Sequence, residues 1–217
     1  MIKISERLKT VAEFVLSNKS NKIIDVGCDH ALLDIYLLQN NPNLKIIASD
    51  NKEKPLENAK KNILKYSFLD KIELVLKDGI DNLSNDVDTV VISGMGTETI
   101  IDILNKDKVL LKNIDRLVIS SNNKYFLLRK SVTDLGYYIN NEKIVFEDNK
   151  YYIVIEFIKG IKKYNKKELY LGPILLNNKN ELFYDYYEKI KNKNKYILDK
   201  KYDKNIIEEL NFIMEET

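Results

Sequence analysis

Lys22-Ile23-Ile24-Asp25-Val26-Gly27-Cys28-Asp29-His30-Ala31 decides the fold. An apolar run of strand type ends at Val26, a glycine follows at once, and a helix-spaced pattern runs from Ala31 to residue 40. Glycine at that point lets the chain bend sharply and lets a ligand approach the main chain. The alternation recurs downstream. Strands are expected at 44–49, 72–76, 89–93 and 117–120, and helices at 55–66, 97–105 and 125–135, the last closed by Gly136. Upstream, Leu8, Val11, Ala12, Val15 and Leu16 place an amphipathic helix over 5–17. Five βα-type repeats demand right-handed crossovers and a mostly parallel sheet. The runs 137–146 and 151–159 flank Glu147-Asp148-Asn149-Lys150 as an antiparallel hairpin. The expectation is a doubly wound α/β fold with a seven-stranded sheet that ends in this hairpin.

Residues 160–178 read as a Lys-rich connection containing Gly172-Pro173. Beyond the connection, Phe183, Tyr187, Ile190 and Ile197 form one helical stripe, and Ile206, Leu210, Ile213 and Met214 another. Two antiparallel helices follow, a helical hairpin or short coiled coil. The division expected is a catalytic domain over 1–160 and a Lys-rich linker with a helical extension over 161–217.

The 217 residues suffice for one good core plus a small appendage. A composition of 44% hydrophobic and 31% charged residues is that of a soluble globular chain, and no apolar run reaches membrane-spanning length. The first residues lack the apolar run of a leader. Cys28 is alone, so no internal disulfide forms, and with His30 the only histidine the composition argues against a structural zinc site. A cytoplasmic, metal-free protein is expected, with a monomer favoured. Net charge is only +2, but Lys159 to Lys201 holds 12 Lys against 5 acids, and the last 16 residues hold 1 Lys against 5. That asymmetry has two readings, a surface facing a polyanion or a solvated helical face.

Strand ends carry the candidate chemistry. Asp25 and Asp29 flank the Gly27 bend, which lacks a G-x-G-x-x-G and puts negative charge where a pyrophosphate would sit. The arrangement suits a ligand with an ammonium and a sulfonium, or else it is a plain turn with a capping Asp. Asp50, with Asn51 beside it, ends the second strand about 20 residues on. It accepts from ribose hydroxyls, or it begins the turn before Pro55. Asp78-Gly79 ends the third strand, as an adenine-amino acceptor or a simple D-G turn. Three acids at successive strand ends share the edge where open α/β sheets bind ligands. Ser93-Gly94-Met95-Gly96 ends the fourth strand and leaves room for a flat base, or is a flexible turn into a helix capped by Thr97. His30 either handles a proton or bonds a neighbouring carbonyl, and Cys28 is a small packing residue.

Residues 25–31 resemble the D-I-G-S-D-H-A signature of bacterial tRNA (adenine(22)-N(1))-methyltransferases. Residues 5–12, Ser-Glu-Arg-Leu-Lys-Thr-Val-Ala, resemble that family's S-x-R-L-x-x-V-A opening, and Gly94-Met95-Gly96 its A-G-M-G segment. Asn122, Arg129 and Gly172-Pro173 match in order, so the resemblance spans nearly the whole chain. Asp34 stands where the family has Pro, Thr97 follows Gly96 in place of a glycine-like residue, and Ser120-Ser121-Asn122 replaces Q-P-N. The resemblance implies a Rossmann-like class I methyltransferase that uses S-adenosyl-L-methionine to methylate adenine N1 at position 22 of tRNA. Asp25, Gly27, Asp29, Asp50, Asn51, Asp78, Gly79, Ser93, Gly94 and Met95 would hold the cofactor. Asp29, His30 and Asn122 would be catalytic, and the segment Lys159–Lys201 would contact tRNA. The alternatives are the same fold acting on another RNA, and an inactive RNA-binding relative.

Overall fold

The computed structural model describes residues 2–18, 20–81 and 83–217. Helix α1 (Glu6–Leu16) opens on Ser5, whose hydroxyl accepts the Leu8 amide. The βα units are β1 (Lys22–Val26) with α2 (Leu32–Asn40), β2 (Lys45–Asp50) with α3 (Glu53–Lys65), β4 (Thr89–Met95) with α4 (Thr97–Lys106), and β5 (Arg116–Ser121) with α5 (Tyr125–Asp134). Strand β3 (Ile72–Leu76) departs from the expected repeat, because no helix lies among the described residues between it and β4. The hairpin is β6 (Tyr137–Glu147) and β7 (Lys150–Lys159).

Sheet order is β3-β2-β1-β4-β5-β7-β6, parallel from β3 to β5, with β7 antiparallel to β5 and to β6. The expected seven-stranded Rossmann-like sheet is therefore present. Side chains alternate along each strand, so neighbours serve opposite faces. Ile23, Val91 and Val118 pack with α1, α2 and α3, whereas Ile24, Val90, Leu117 and Ile119 pack with α4 and α5. Burial on both faces explains why the central strands are continuously apolar.

The segment expected to be a connection instead folds into two short helices, α6 (Lys166–Leu171) and α7 (Pro173–Asn177). Asn165 and Glu168 form a reciprocal capping box at the start of α6. Helices α8 (Glu181–Leu198) and α9 (Lys204–Glu216) then pair. The extension does not stand apart, since Tyr170, Leu171, Leu175, Phe183, Tyr187 and Ile213 share one apolar cluster with Ile139, Ile153 and Ile155 of the sheet.

A buried polar knot fastens the extension. Arg129 of α5 donates through Nε to Glu142 Oε1 of β6 at 2.7 Å, and through Nη1 to the Leu169 and Tyr170 carbonyls at 3.0 and 2.9 Å. Glu142 Oε2 accepts the Ile174 amide at 3.0 Å, and the Tyr187 hydroxyl donates to the Leu171 carbonyl at 2.7 Å. Gly172 has φ +84°, and a Cβ there would lie 2.7 Å from both Arg129 Nη2 and Glu142 Oε2. No helix among the described residues is long and apolar enough to cross a membrane.

Candidate active site

Three strand ends converge on one cleft of about 470 Å³ at the carboxyl edge of β1, β2 and β4. The Gly27 and Cys28 amides both donate to the Ser49 carbonyl, at 2.8 and 2.9 Å, which stitches the first loop to β2. Gly27 has φ +78°, and a Cβ there would collide with Met95 Cε of β4. The positive φ is what calls for glycine at the bend, because the Met95 methyl is the end of a flexible side chain that can shift. Asp29 and Ala31 hold left-handed backbone at φ 49° and 53°, an uncommon conformation for residues with a Cβ and one that concentrates at functional loops.

Of the residues expected to bind the cofactor, Asp25, Gly27, Asp29, Asp50, Asn51, Ser93, Gly94 and Met95 all line this cleft, and so does His30. Asp78 and Gly79 do not. Asp78 faces Lys106 of α4 at 3.8 Å, and Gly79 packs toward Ile103. Thr97 is not the helix cap either. Gly96 takes that place, and Thr97 Oγ1 instead donates to the Asn123 carbonyl at 2.5 Å and meets Ser121 Oγ at 2.6 Å.

Electrostatics in the cleft are acidic with one guanidinium. Burial, then the nearby Asp50, pushes the Asp25 carboxyl up to about 7, against the opposing pull of Arg7. Asp50 Oδ1 accepts the Lys52 amide at 3.0 Å, so it serves the turn while Oδ2 stays available. Burial and the surrounding carboxylates raise the Cys28 thiol, which stays protonated. His30 is half-exposed with Nε2 3.6 Å from Asp29 Oδ1, and its carbonyl accepts from Asn62 Nδ2 of α3 at 2.9 Å. Asn122 lies just past β5. Its Nδ2 donates to the Gly94 carbonyl at 2.8 Å and its backbone amide to Met95 O at 3.0 Å. That bond fixes the amide's orientation and leaves Oδ1 as an outward acceptor.

Arg7 is a charged lining residue to which the sequence reading gave no role at the site. It reaches from α1 to Ser93 Oγ, lies 5.3 Å from the Tyr152 ring centroid, and sits against Gly94. A signal was present. The chain has 32 Lys and only 3 Arg, and all three arginines occupy tertiary polar sites.

The donor set fits an S-adenosylmethionine-type ligand. Carboxylates stand where an ammonium and a ribose need acceptors, Arg7 offers a partner for a carboxylate, and the side-chain-free Gly27 leaves the main chain approachable. Comparison with known proteins agrees. The family described as Methyltransferase domain matches residues 4–155. The Bacillus subtilis tRNA (adenine(22)-N(1))-methyltransferase is 30% identical over 189 residues, 84% of this chain and 79% of that protein. M. capricolum TrmK, solved with the cofactor product S-adenosylhomocysteine, is 32% identical, with a TM-score of 0.85 over 98% of this chain and 96% of that one. Streptococcus pneumoniae Sp1610 in complex with S-adenosyl-L-methionine is 30% identical, with a TM-score of 0.89 over 98% and 99%. A methyltransferase domain over most of the chain, a 30% identical relative over 84% of it, and structural likeness over 98% of it place this chain in the tRNA (adenine(22)-N(1))-methyltransferase family.

Proposed function

We propose that this protein methylates N1 of adenine 22 in tRNA with S-adenosyl-L-methionine as donor. The observation that carries this reading is the acidic cleft at the carboxyl edge, closed on one side by Arg7 and bordered by the Gly94–Asn122 bond. When bound, the cofactor supplies an electrophilic methyl on a positively charged sulfur. Asp25 and Asp29 face its cationic groups, Arg7 its carboxylate, and Asp50 with Asn51 its ribose. Asp78 and Gly79, expected from sequence to meet the adenine, lie outside the cleft and take no part in this reading.

Adenine N1 carries a lone pair at neutral pH, so the residues need not remove a proton before attack. Their task is alignment and relief of the positive charge that develops on the ring. Asn122 Oδ1 accepts from the exocyclic amino group, which also keeps N1 facing the cleft. Asp29 supports the developing cation, and His30 beside it orients Asp29; the product ring leaves as a cation, so no proton has to be removed from it. N1 lies on the Watson–Crick edge, so the target base must leave any pairing or stack. The monomeric protein grips tRNA phosphates with the lysines between Lys159 and Lys201.

The test is incubation with labelled S-adenosylmethionine and tRNA from cells lacking the activity, followed by mapping of the modified nucleotide. Label at adenine 22, absent from a transcript with guanine there, is the expected result. Label elsewhere would mean another RNA target, and cofactor binding without transfer would mean an inactive relative.

A further inference from the structure

Residues at the tip of the β6–β7 hairpin have no part in the cofactor cleft, yet they stand beside it. Strand β7 is antiparallel to β5 with Ser121 opposite Ile153, so Tyr151 and Tyr152 overhang the edge at which Asn122 lies. Phe146 pairs with Tyr151 across the hairpin, and both point toward the α8 side of the sheet. The Phe146 ring is 45% exposed and lies 4.6 Å, centroid to centroid, from Tyr151. Tyr151 in turn lies 5.6 Å from Tyr186 of α8, and Lys189 Nζ sits 5.2 Å from the Tyr151 centroid. Phe146 is an exposed ring at the hairpin tip, outside the core cluster, while Tyr151 beneath it is half-buried and packs against that cluster, which gives the exposed ring a fixed support.

The surroundings say what covers it. Tyr186, Lys189, Lys193 and Tyr196 recur at intervals of three and four, so one face of α8 alternates aromatic rings with cations as it leads away from the tip. The basic segment is only partly free. Lys166, Lys167 and Lys179 are matched by Glu208, Glu215 and Glu216 of α9. Lys189, Lys193 and Lys195 are exposed and form no ion pair among the described residues. Positive charge interleaved with rings is the chemistry that holds an unpaired nucleic-acid strand, with bases stacked and phosphates neutralised.

We propose that Phe146 and Tyr151 form a stacking platform for an unpaired nucleobase next to the target adenine in tRNA, and that Lys189 and Lys193 neutralise the phosphates of the same strand. The proposal rests on the tRNA reading above and assigns that substrate a second base-recognition site. It also accounts for how an extruded adenine is kept from restacking, because its neighbour is engaged as well.

The experiment measures tRNA affinity of the full-length protein against salt, with S-adenosylmethionine affinity and melting temperature as controls. Phe146→Leu and Tyr151→Leu should each weaken tRNA binding about ten-fold with an unchanged salt slope, because stacking releases no counterion. Phe146→Tyr and Tyr151→Phe should stay close to the parent. Lys189→Gln should lower the salt slope by about one unit. Cofactor affinity should not change in any variant. Full affinity in both leucine variants would overturn the platform, as would a concentration-dependent dimer lost in Phe146→Leu, since a second copy would then be its occupant. If the leucine variants weaken binding but the parent does not methylate adenine 22, the platform stands and the proposed activity falls. A parent that binds no tRNA would sink both.

Discussion

Asp34 occupies the first turn of α2 with no exposed surface, and neither carboxylate oxygen has a hydrogen-bond partner among the described residues. Burial, then the charge of Asp25, holds its carboxyl well above the ordinary range. An acid whose folded pKa is raised contributes stability that is fully present below its unfolded value. That stability is lost as pH rises through the folded value. Asp34→Asn, isosteric and always neutral, should match the parent in urea titration near pH 4 and exceed it at pH 8; coincident curves at both would refute the charge penalty. Asp25 has a functional counterpart of this effect. With its carboxyl near 7, and a cationic ligand favouring the ionised form, cofactor affinity should fall as pH drops from 8 to 6. In calorimetry, Asp25→Asn should bind about ten-fold or more weakly and lose that pH dependence. The acids of the cleft were legible because each ends a strand that periodicity locates. Arg7 was not, because only packing of α1 on the sheet carries it to Ser93.

Two short elements hold the extension in place, and their brevity hid them. Helices α6 and α7 have 6 and 5 residues, too few for a helical period to show, although Asn165 and Glu168 carried a readable capping signal. The longer α8 was legible from its buried stripe of Phe183 and Tyr187. The alternative of Thr97 as a cap does not hold, because its hydroxyl is recruited by the Asn123 carbonyl beyond β5, a long-range effect that local sequence does not encode. Removing one partner of a buried ion pair strands the other, at a cost of about 3–5 kcal/mol. Glu142→Ala should therefore lower stability by that order in denaturant titration. Gly172→Ala should also be clearly destabilising, because the new Cβ meets Arg129 and Glu142 in a left-handed conformation. A Gly172→Ala protein as stable as the parent would show that the knot yields freely.

At the scale of the molecule, the boundary expected after residue 160 divides one core. Ile139 and Ile153 belong to the sheet and Phe183, Tyr187 and Ile213 to the extension, yet all five pack in the same cluster. One calorimetric unfolding transition is expected for the full chain, and a truncation after Gly160 should fail to fold cooperatively. Two separable transitions would show that the extension unfolds apart from the catalytic domain. The whole sheet, including its antiparallel ending, was legible because strands and turns are local signals. Whether the tail is a module or part of the core was not, because that depends on the contacts of Arg129 and Glu142. Helix α1 couples the two ends of the cleft in a different way. The Glu6 amide donates to Glu147 Oε1 at the hairpin tip at 2.8 Å, and the very next residue reaches Ser93. The hairpin tip, proposed above to meet RNA, and the donor side are thus joined through one short lever. Thermodynamic reciprocity then sets its use: whatever factor the nucleic acid adds to the grip on the methyl donor, the donor returns to the grip on the nucleic acid.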